Sequence, residues 1–298
     1  MTRGDNQPAR LRSAAEALAA EAAAFVRRRR SEVFGDDLNV ADWVVRAKST
    51  PTDPVTVVDT ETERLLRDRL AQLRPGESIL GEEGGGPGGD EAAGAPGAAE
   101  ATAGAVTWVL DPIDGTVNFV YGIPAFAVSV AAQVGGVSVA GAVADVAGGL
   151  LYSAAAGLGA HLTHEEGRRE LRCSSVEDLS MTLLGTGFGY SGPRRAVQAQ
   201  RLAMILPRVR DVRRIGSAAL DLCLVAAGRL DAYYEHGLHV WDWAAGALIA
   251  AEAGARVVLP EPAGPVGGGG LVAAAAPGIA VDFFGAVTAL DDLGPLPD

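Results

Sequence analysis

Residues 108–122 read WVLDPIDGTVNFVYG. An apolar, strand-like run ends in two aspartates, Asp111 and Asp114, three positions apart across Pro112-Ile113, and Gly115-Thr116 follow at once. Like charges at the end of a buried strand repel, so one pKa must rise or a counter-ion must be supplied. Pro112 holds Asp111 extended, and simple spacing places neither aspartate as a helix N-cap. A glycine lets a ligand approach the backbone, and the N–H groups that open a helix favour phosphate. Carboxylates for a cation therefore stand beside N–H groups for an anion.

The same placement recurs along the chain. The run ILGEE (79–83) ends in Glu82 and Glu83, PVTVVD (54–59) runs into Asp59, and Asp242 opens the helical segment WDWAAGALIAAEAGA (241–255). Any one of these acids alone reads as a helix cap. As a set, Asp59, Glu82, Asp111, Asp114 and Asp242 offer only oxygen, which points to a hard cation, Mg²⁺ before Zn²⁺. His161, His164, His236 and His239 lack the tight spacing of metal ligands. An acidic site on a chain of net charge −12 would repel a phosphate ester unless bound metal inverted the local sign. The set thus describes a metal-dependent phosphatase. The DxDGT motif of haloacid-dehalogenase phosphatases is a near match only. The spacing here is DxxDGT, and the extra residue with its proline would misplace the general acid relative to a nucleophilic aspartate.

A chain of 298 residues suits one large domain or two packed subdomains. The acidic balance speaks against nucleic acid or a membrane surface as partner. The start, MTRGDNQPARLR, has no apolar signal region. The weakly polar stretch 125–160 is interrupted by Gln133, Gly135-Gly136 and Asp145, and reads as buried strands rather than a membrane span. Cys173 and Cys223 lie in apolar surroundings and are expected as buried free thiols, in keeping with a cytoplasmic location. Helical spacing covers 8–30, with Arg27–Arg30 as a solvated helix end or, alternatively, an anion-binding patch. A second helix follows Asp59, with Thr60 and Glu63 as its capping box. Further helices are expected at 194–206, from Ser217 to Ala227, and from Asp242 to Gly254. Hairpins are expected at Gly135-Gly136 and Glu166-Gly167, so the class is mixed α/β with sheets that are not purely parallel. Residues 84–105, rich in Gly, Ala and Pro, read as a flexible surface loop.

WVLDPIDGTVNF resembles the signature of the inositol monophosphatase family. ILGEE and VWDWAAGALIAAEAGA resemble its other two metal-site segments in the expected order, and KSTPTDPVTVVDTETE looks like its N-terminal loop and strand. These segments run from about residue 48 to 258, most of the chain. The resemblance implies a layered αβαβα sandwich, α/β in class and commonly a homodimer. Residues 1–172 would form an N-terminal subdomain carrying most metal ligands. Residues 173–298 would carry Asp242 and the substrate pocket, packed as one unit with the first. By position, Glu82, Asp111, the Ile113 carbonyl, Asp114 and Asp242 would hold two or three Mg²⁺ ions. Asp59 would act near the metal-activated water, and Thr116 would pair with Glu82 or Asp59 to orient it. The backbone of Gly115 and Thr116 would bind phosphate. Lys48, the sole lysine of the chain, would lie in the mobile loop of the family. The implied reaction is in-line attack by metal-activated water with no covalent intermediate, and lithium inhibition is a common family property.

The resemblance moves the choice of ester to the alcohol side. Glu235 in YYEHG occupies the position that binds sugar hydroxyls in inositol monophosphatases. Gly216, Ser217 and Ala218 match the segment that lines the inositol, with Asp114 and Asp242 bordering it. The alternative for Glu235 is a solvated acid at a strand end. A polar acceptor suits a polyol better than an adenine ring, so inositol-1-phosphate is the expected substrate. A broader sugar phosphatase acting on fructose-1,6-bisphosphate, or a histidinol-phosphate phosphatase, is the runner-up. From another class comes a regulatory, protein-binding role in transcription or RNA processing. An intact acid set argues against a purely regulatory protein.

Overall fold

The first helix, α1 (Pro8–Phe34), opens with proline in its first turn and buries Leu11, Ala15, Leu18, Ala22 and Val26 along one face. It is seen in a computed structural model that describes residues 7–35, 45–48, 54–84, 104–260, 270–290 and 296. All of the expected 84–105 loop but its ends lies outside the described residues, as do residues 49–53 of the KSTPTD segment. The helix runs one turn past residue 30; Arg28 stays 62% exposed, as a solvated helix end would be, while the other three arginines of the run have fixed partners. Arg27 donates to the Val146 carbonyl, Arg29 to Glu61 and Glu32, and Arg30 to the Phe119 carbonyl while lying over the Phe34 and Phe119 rings.

In chain order there follow β1 (Val45–Ala47), β2 (Pro54–Thr56), α2 (Val57–Leu73), β3 (Ser78–Gly81), β4 (Val106–Asp114) and α3 (Thr116–Tyr121). An antiparallel meander comes next: β5 (Ala127–Val134), β6 (Val137–Asp145), β7 (Leu150–Ala155), β8 (Ala160–His164) and β9 (Gly167–Glu170). The second half holds β10 (Leu183–Thr186), α4 (Gly192–Ile205), β11 (Asp211–Arg213), α5 (Ala218–Ala226), β12 (Ala232–His236) and α6 (Val240–Glu252). It ends with β13 (Arg256–Val258), β14 (Leu271–Ala275) and α7 (Ala280–Thr288).

The seven strands β3 to β9 lie side by side in chain order, with only β3–β4 parallel. The second sheet has the order β11-β10-β12-β14-β13 and mixes parallel and antiparallel pairs. Strand period then sorts the side chains into layers. Trp108 and Leu110 of β4 face α1 and α2, while Val109 faces the opposite way, toward α5 and α6. On β12, Tyr233 joins α5 and α6, while Ala232 and Tyr234 turn outward to α7 and Ile205 of α4. The layers are therefore helices, seven-stranded sheet, α5 and α6, five-stranded sheet, helices: the expected αβαβα sandwich. Its middle helices are built from small residues, as in Ala244, Ala245, Gly246 and Ala247 of α6. A Cβ added at Gly246 would lie 2.9 Å from Leu222 Cβ of α5, so these two helices pack almost backbone to backbone.

Both expected hairpins are present, as is the Ser217 cap; the helix expected to open at Asp242 starts two residues earlier, at Val240, which puts Asp242 in its first turn. One expected cap is wrong. The box on α2 is Thr56 with Asp59, because the helix already starts at Val57. Asp59 therefore sits inside the first turn rather than before it, and Glu63 is freed for another task. Cys223 is buried as expected, whereas Cys173 is half-buried; both are free thiols. Among the described residues no helix is long and apolar enough to cross a membrane.

Candidate active site

Two chain segments bring three acids together. Strand β4 carries Asp111 and Asp114 at its last positions, and its pairing with β5 slips between them, an irregularity that falls on Pro112-Ile113. The start of α6 brings Asp242. A carboxylate oxygen from each of Asp111, Asp114 and Asp242 lies within 4.8 Å of the others. Three negative charges so close are held apart by little else. Burial, and then the neighbouring acids Glu82, Asp114 and Asp242, push Asp111 well above the usual carboxylate range. Asp242 is raised for the same reasons, burial first and Asp114 next. Asp114 is lifted by burial to about 6, against hydrogen bonds from the Ser217 hydroxyl at 2.6 Å and the Ala219 N–H at 2.7 Å. Such a set is stable as three anions only with a cation between them. The residues fit a metal: every donor is an oxygen, and the acids are buried or half-buried.

Each ligand is oriented by its own surroundings. Asp111 Oδ1 accepts from the Ile113 N–H at 3.0 Å, which pins the side chain across the proline. Asp242 Oδ2 accepts the His239 N–H at 2.6 Å, in a capping box whose His239 ring stacks on Trp241 at 4.8 Å. Asp59 Oδ2 accepts from the Thr56 N–H at 2.9 Å and from the Thr56 hydroxyl. The Thr116 hydroxyl lies 3.2 Å from Asp59 Oδ1 and 3.0 Å from the Ile113 carbonyl. Of the two partners expected for Thr116, it is Asp59 that the structure places within reach. Burial lifts Asp59 to about 6 despite the Thr56 hydrogen bonds.

Glu82 is the expected ligand that stands apart from the trio. Its Oε1 accepts from the Lys48 ammonium at 2.7 Å, and Glu83 takes the same ammonium at 2.5 Å. Burial alone would lower the Lys48 pKa; Glu82 and Glu83 outweigh it and raise it. Glu82 still feels the cluster, since its charge is among the causes that raise Asp111, Asp114 and Asp242.

Gly115 opens α3 with φ of +94°, and a Cβ there would lie 3.0 Å from both the Ala125 and Gly216 carbonyls. Only glycine fits that left-handed, crowded position. The same contact brings Gly216 against the Gly115-Thr116 turn, and Ser217 then reaches Asp114. Glu235 projects from β12 against Gly187, accepts from the Tyr233 hydroxyl at 2.7 Å, and is pushed by burial up to about 7. It is a half-buried acid with a fixed partner rather than a fully solvated strand end. The sequence reading missed the Ser217 bond to Asp114, the Tyr233 support of Glu235, and the contacts of Glu63 and Glu83. The YxE alternation of β12 is the one signal that could have revealed Tyr233, because positions two apart share a face.

The family model of the inositol monophosphatase family matches residues 7–286. The inositol-1-monophosphatase of Mycobacterium leprae is 70% identical over 299 aligned positions, covering 100% of both chains. The solved structure of Mycobacterium tuberculosis SuhB aligns with a TM-score of 0.78 and 63% identity, covering 97% of this chain and 100% of that one. The Pasteurella multocida protein named Nus factor SuhB is 39% identical, over 72% of this chain and 75% of its own. With the fold, the acid trio and these matches in agreement, the chain belongs to the inositol monophosphatase family and is a phosphatase.

Proposed function

We propose that the protein hydrolyses inositol-1-phosphate to inositol and phosphate in a Mg²⁺-dependent reaction. The observation that carries this reading is a clustered acid trio with a separate half-buried acid, Glu235, close enough for its charge and those of Asp114 and Asp242 to be felt between them. Asp111, Asp114, Asp242, Glu82 and the Ile113 carbonyl would hold the metal. Bound to these oxygens, Mg²⁺ would neutralise the acids, attract the phosphate and lower the pKa of a coordinated water. The backbone of Gly115 and Thr116 would orient the phosphate. Asp59, buried and lifted toward neutrality, is suited to take a proton relayed from Thr116 Oγ1. Glu235, steadied by Tyr233, would accept hydrogen bonds from ring hydroxyls, with Gly216, Ser217 and Ala218 forming the wall beside it.

Family membership supports three further expectations: a homodimer, inhibition by lithium, and a cytoplasmic location. Light scattering, a lithium titration and cell fractionation check them. The name borne by the Pasteurella relative keeps a regulatory role in view for that protein, but the trio built into this chain favours catalysis. The deciding experiment is phosphate release with Mg²⁺ from inositol-1-phosphate, fructose-1,6-bisphosphate, phosphoadenosine phosphate, histidinol phosphate and glycerol-2-phosphate. Inositol-1-phosphate should lead. Equal rates across the panel would reject a dedicated polyol pocket.

A further inference from the structure

Glu63 is only 2% exposed, yet it is a carboxylate on a helix that shares none of its acids with the trio. Its Oε2 accepts the Glu83 N–H at 2.7 Å, and its Oε1 accepts the Gly84 N–H at 2.8 Å and the Arg67 Nε–H at 2.7 Å. These N–H groups belong to the turn Gly81-Glu82-Glu83-Gly84 that ends β3. A Cβ added at Gly84 would lie 2.6 Å from Glu63 Oε1, and one added at Gly81 would collide with the same carboxylate. The two glycines thus leave the space that the Glu63 carboxylate fills. One turn earlier on the same helix, Asp59 reaches Thr116. Helix α2 therefore grips both the turn that carries Glu82 and the turn that follows Asp114.

We infer that Glu63 is a positioning residue: by anchoring two consecutive backbone N–H groups it fixes where Glu82 points, and so sets how tightly the site holds its cation. The inference rests on the reading of Glu82 as a metal ligand. A turn held by two N–H bonds to a buried anion cannot swivel about its strand end. Glu82 then has only its own side-chain torsions to search, and less order is lost when it closes on a metal. Partners that orient metal ligands in this way typically change affinity by about 10- to 100-fold when removed.

The experiment measures Mg²⁺ affinity by titration calorimetry, with thermal unfolding in EDTA alongside, for the full chain and for Glu63→Ala, Gly84→Ala and Glu82→Gln. Glu63→Ala should weaken Mg²⁺ binding by about 10-fold or more. Gly84→Ala keeps the Glu63 charge but pushes it off the turn, and should weaken binding in the same direction. A role limited to stability would lower the unfolding temperature of Glu63→Ala and leave the affinity alone, which overturns the proposal. If Glu63→Ala fails to fold, Gly84→Ala decides: affinity within twofold of the parent overturns the proposal, and a clear loss supports it. Glu82→Gln separates the two levels. A loss there with no change in Glu63→Ala and Gly84→Ala overturns the positioning role only. No change in Glu82→Gln overturns the metal reading and the positioning role together.

Discussion

An acid trio and a lone acid, Glu235, feel one another's charge in this sandwich, and they are built differently. Asp111, Asp114 and Asp242 stand within 4.8 Å of one another, each raised above the usual carboxylate range by burial and by other acids. Glu235 is raised by burial as well, but its field is eased by the Tyr233 hydroxyl and by Arg214 and Arg194. The first group has mostly acids around it and needs a cation from solution. The second has a hydroxyl and two arginines opposing its burial and is left to make hydrogen bonds. The trio and the single carboxylate thus divide the work, the first for charge and the second for shape.

The largest expected effect comes from taking a charge out of the first group. Asp111→Asn should lower kcat/KM for inositol-1-phosphate by more than about 100-fold, since it removes a ligand rather than its support. Turnover near the parent level, with Mg²⁺ not in excess, would break the division between the groups. Next, Glu235→Gln should cost about 10- to 100-fold on inositol-1-phosphate, the size of a lost charged hydrogen bond. It should do so without shifting Mg²⁺ affinity. An equal loss on glycerol-2-phosphate, which offers fewer hydroxyls, would show that Glu235 serves something other than the ring.

A third prediction uses pH. Asp59 and Asp114 rise from 3.8 to about 6, and Glu235 from 4.5 to about 7. A raised pKa means that the folded state binds more protons than the unfolded state between about pH 4 and 7, so stability falls as pH rises through that window. Metal-free protein should therefore melt at a higher temperature at pH 5 than at pH 7.5. Saturating Mg²⁺ should shrink that difference, because the metal favours the ionised acids and stabilises the fold by mass action. A metal-free melting temperature that drops on acidification to pH 5 would contradict the upward shifts of Asp59, Asp114 and Glu235. The smallest effect should be Ser217→Ala, which loses both the α5 cap and the 2.6 Å bond to Asp114. About 1 kcal/mol of stability is expected to go, with a Mg²⁺ affinity shift of only a few-fold, read by denaturant melts and calorimetry.

Where the sequence reading succeeded and failed follows from how local each signal is. Asp111, Asp114 and Asp242 were recognisable because strand ends and helix starts are written in short patterns. The Gly115 turn was recognisable because one residue type answers a positive φ. The start of α2 was misplaced because Thr56-x-x-Asp59 and Thr60-x-x-Glu63 both fit a capping box. Only the contact of Glu63 with the Glu83 and Gly84 N–H groups, 20 and 21 positions away, decides between them. The fate of Arg27, Arg29 and Arg30 was equally hidden, since their partners Val146, Glu61 and Phe119 come from elements distant in sequence. Spacing along the chain likewise could not show that Glu82 pairs with Lys48 at a distance from the other acids.

The layer formed by α5 and α6 lies between the two sheets and packs against both. Asp242 stands at the head of α6, and the head of α5 holds Asp114 through Ser217 and Ala219. Asp111 and Asp114 belong to one sheet, Glu235 to the other. The acid trio therefore exists only when the seven-stranded sheet has closed on α6, and the trio meets Glu235 only when both sheets have closed on the shared helices. A chain that has folded only its first half lacks Asp242 and should bind Mg²⁺ more weakly than the whole. Release of the ion should then be an early sign of the sandwich coming apart, detectable before the strands themselves unravel.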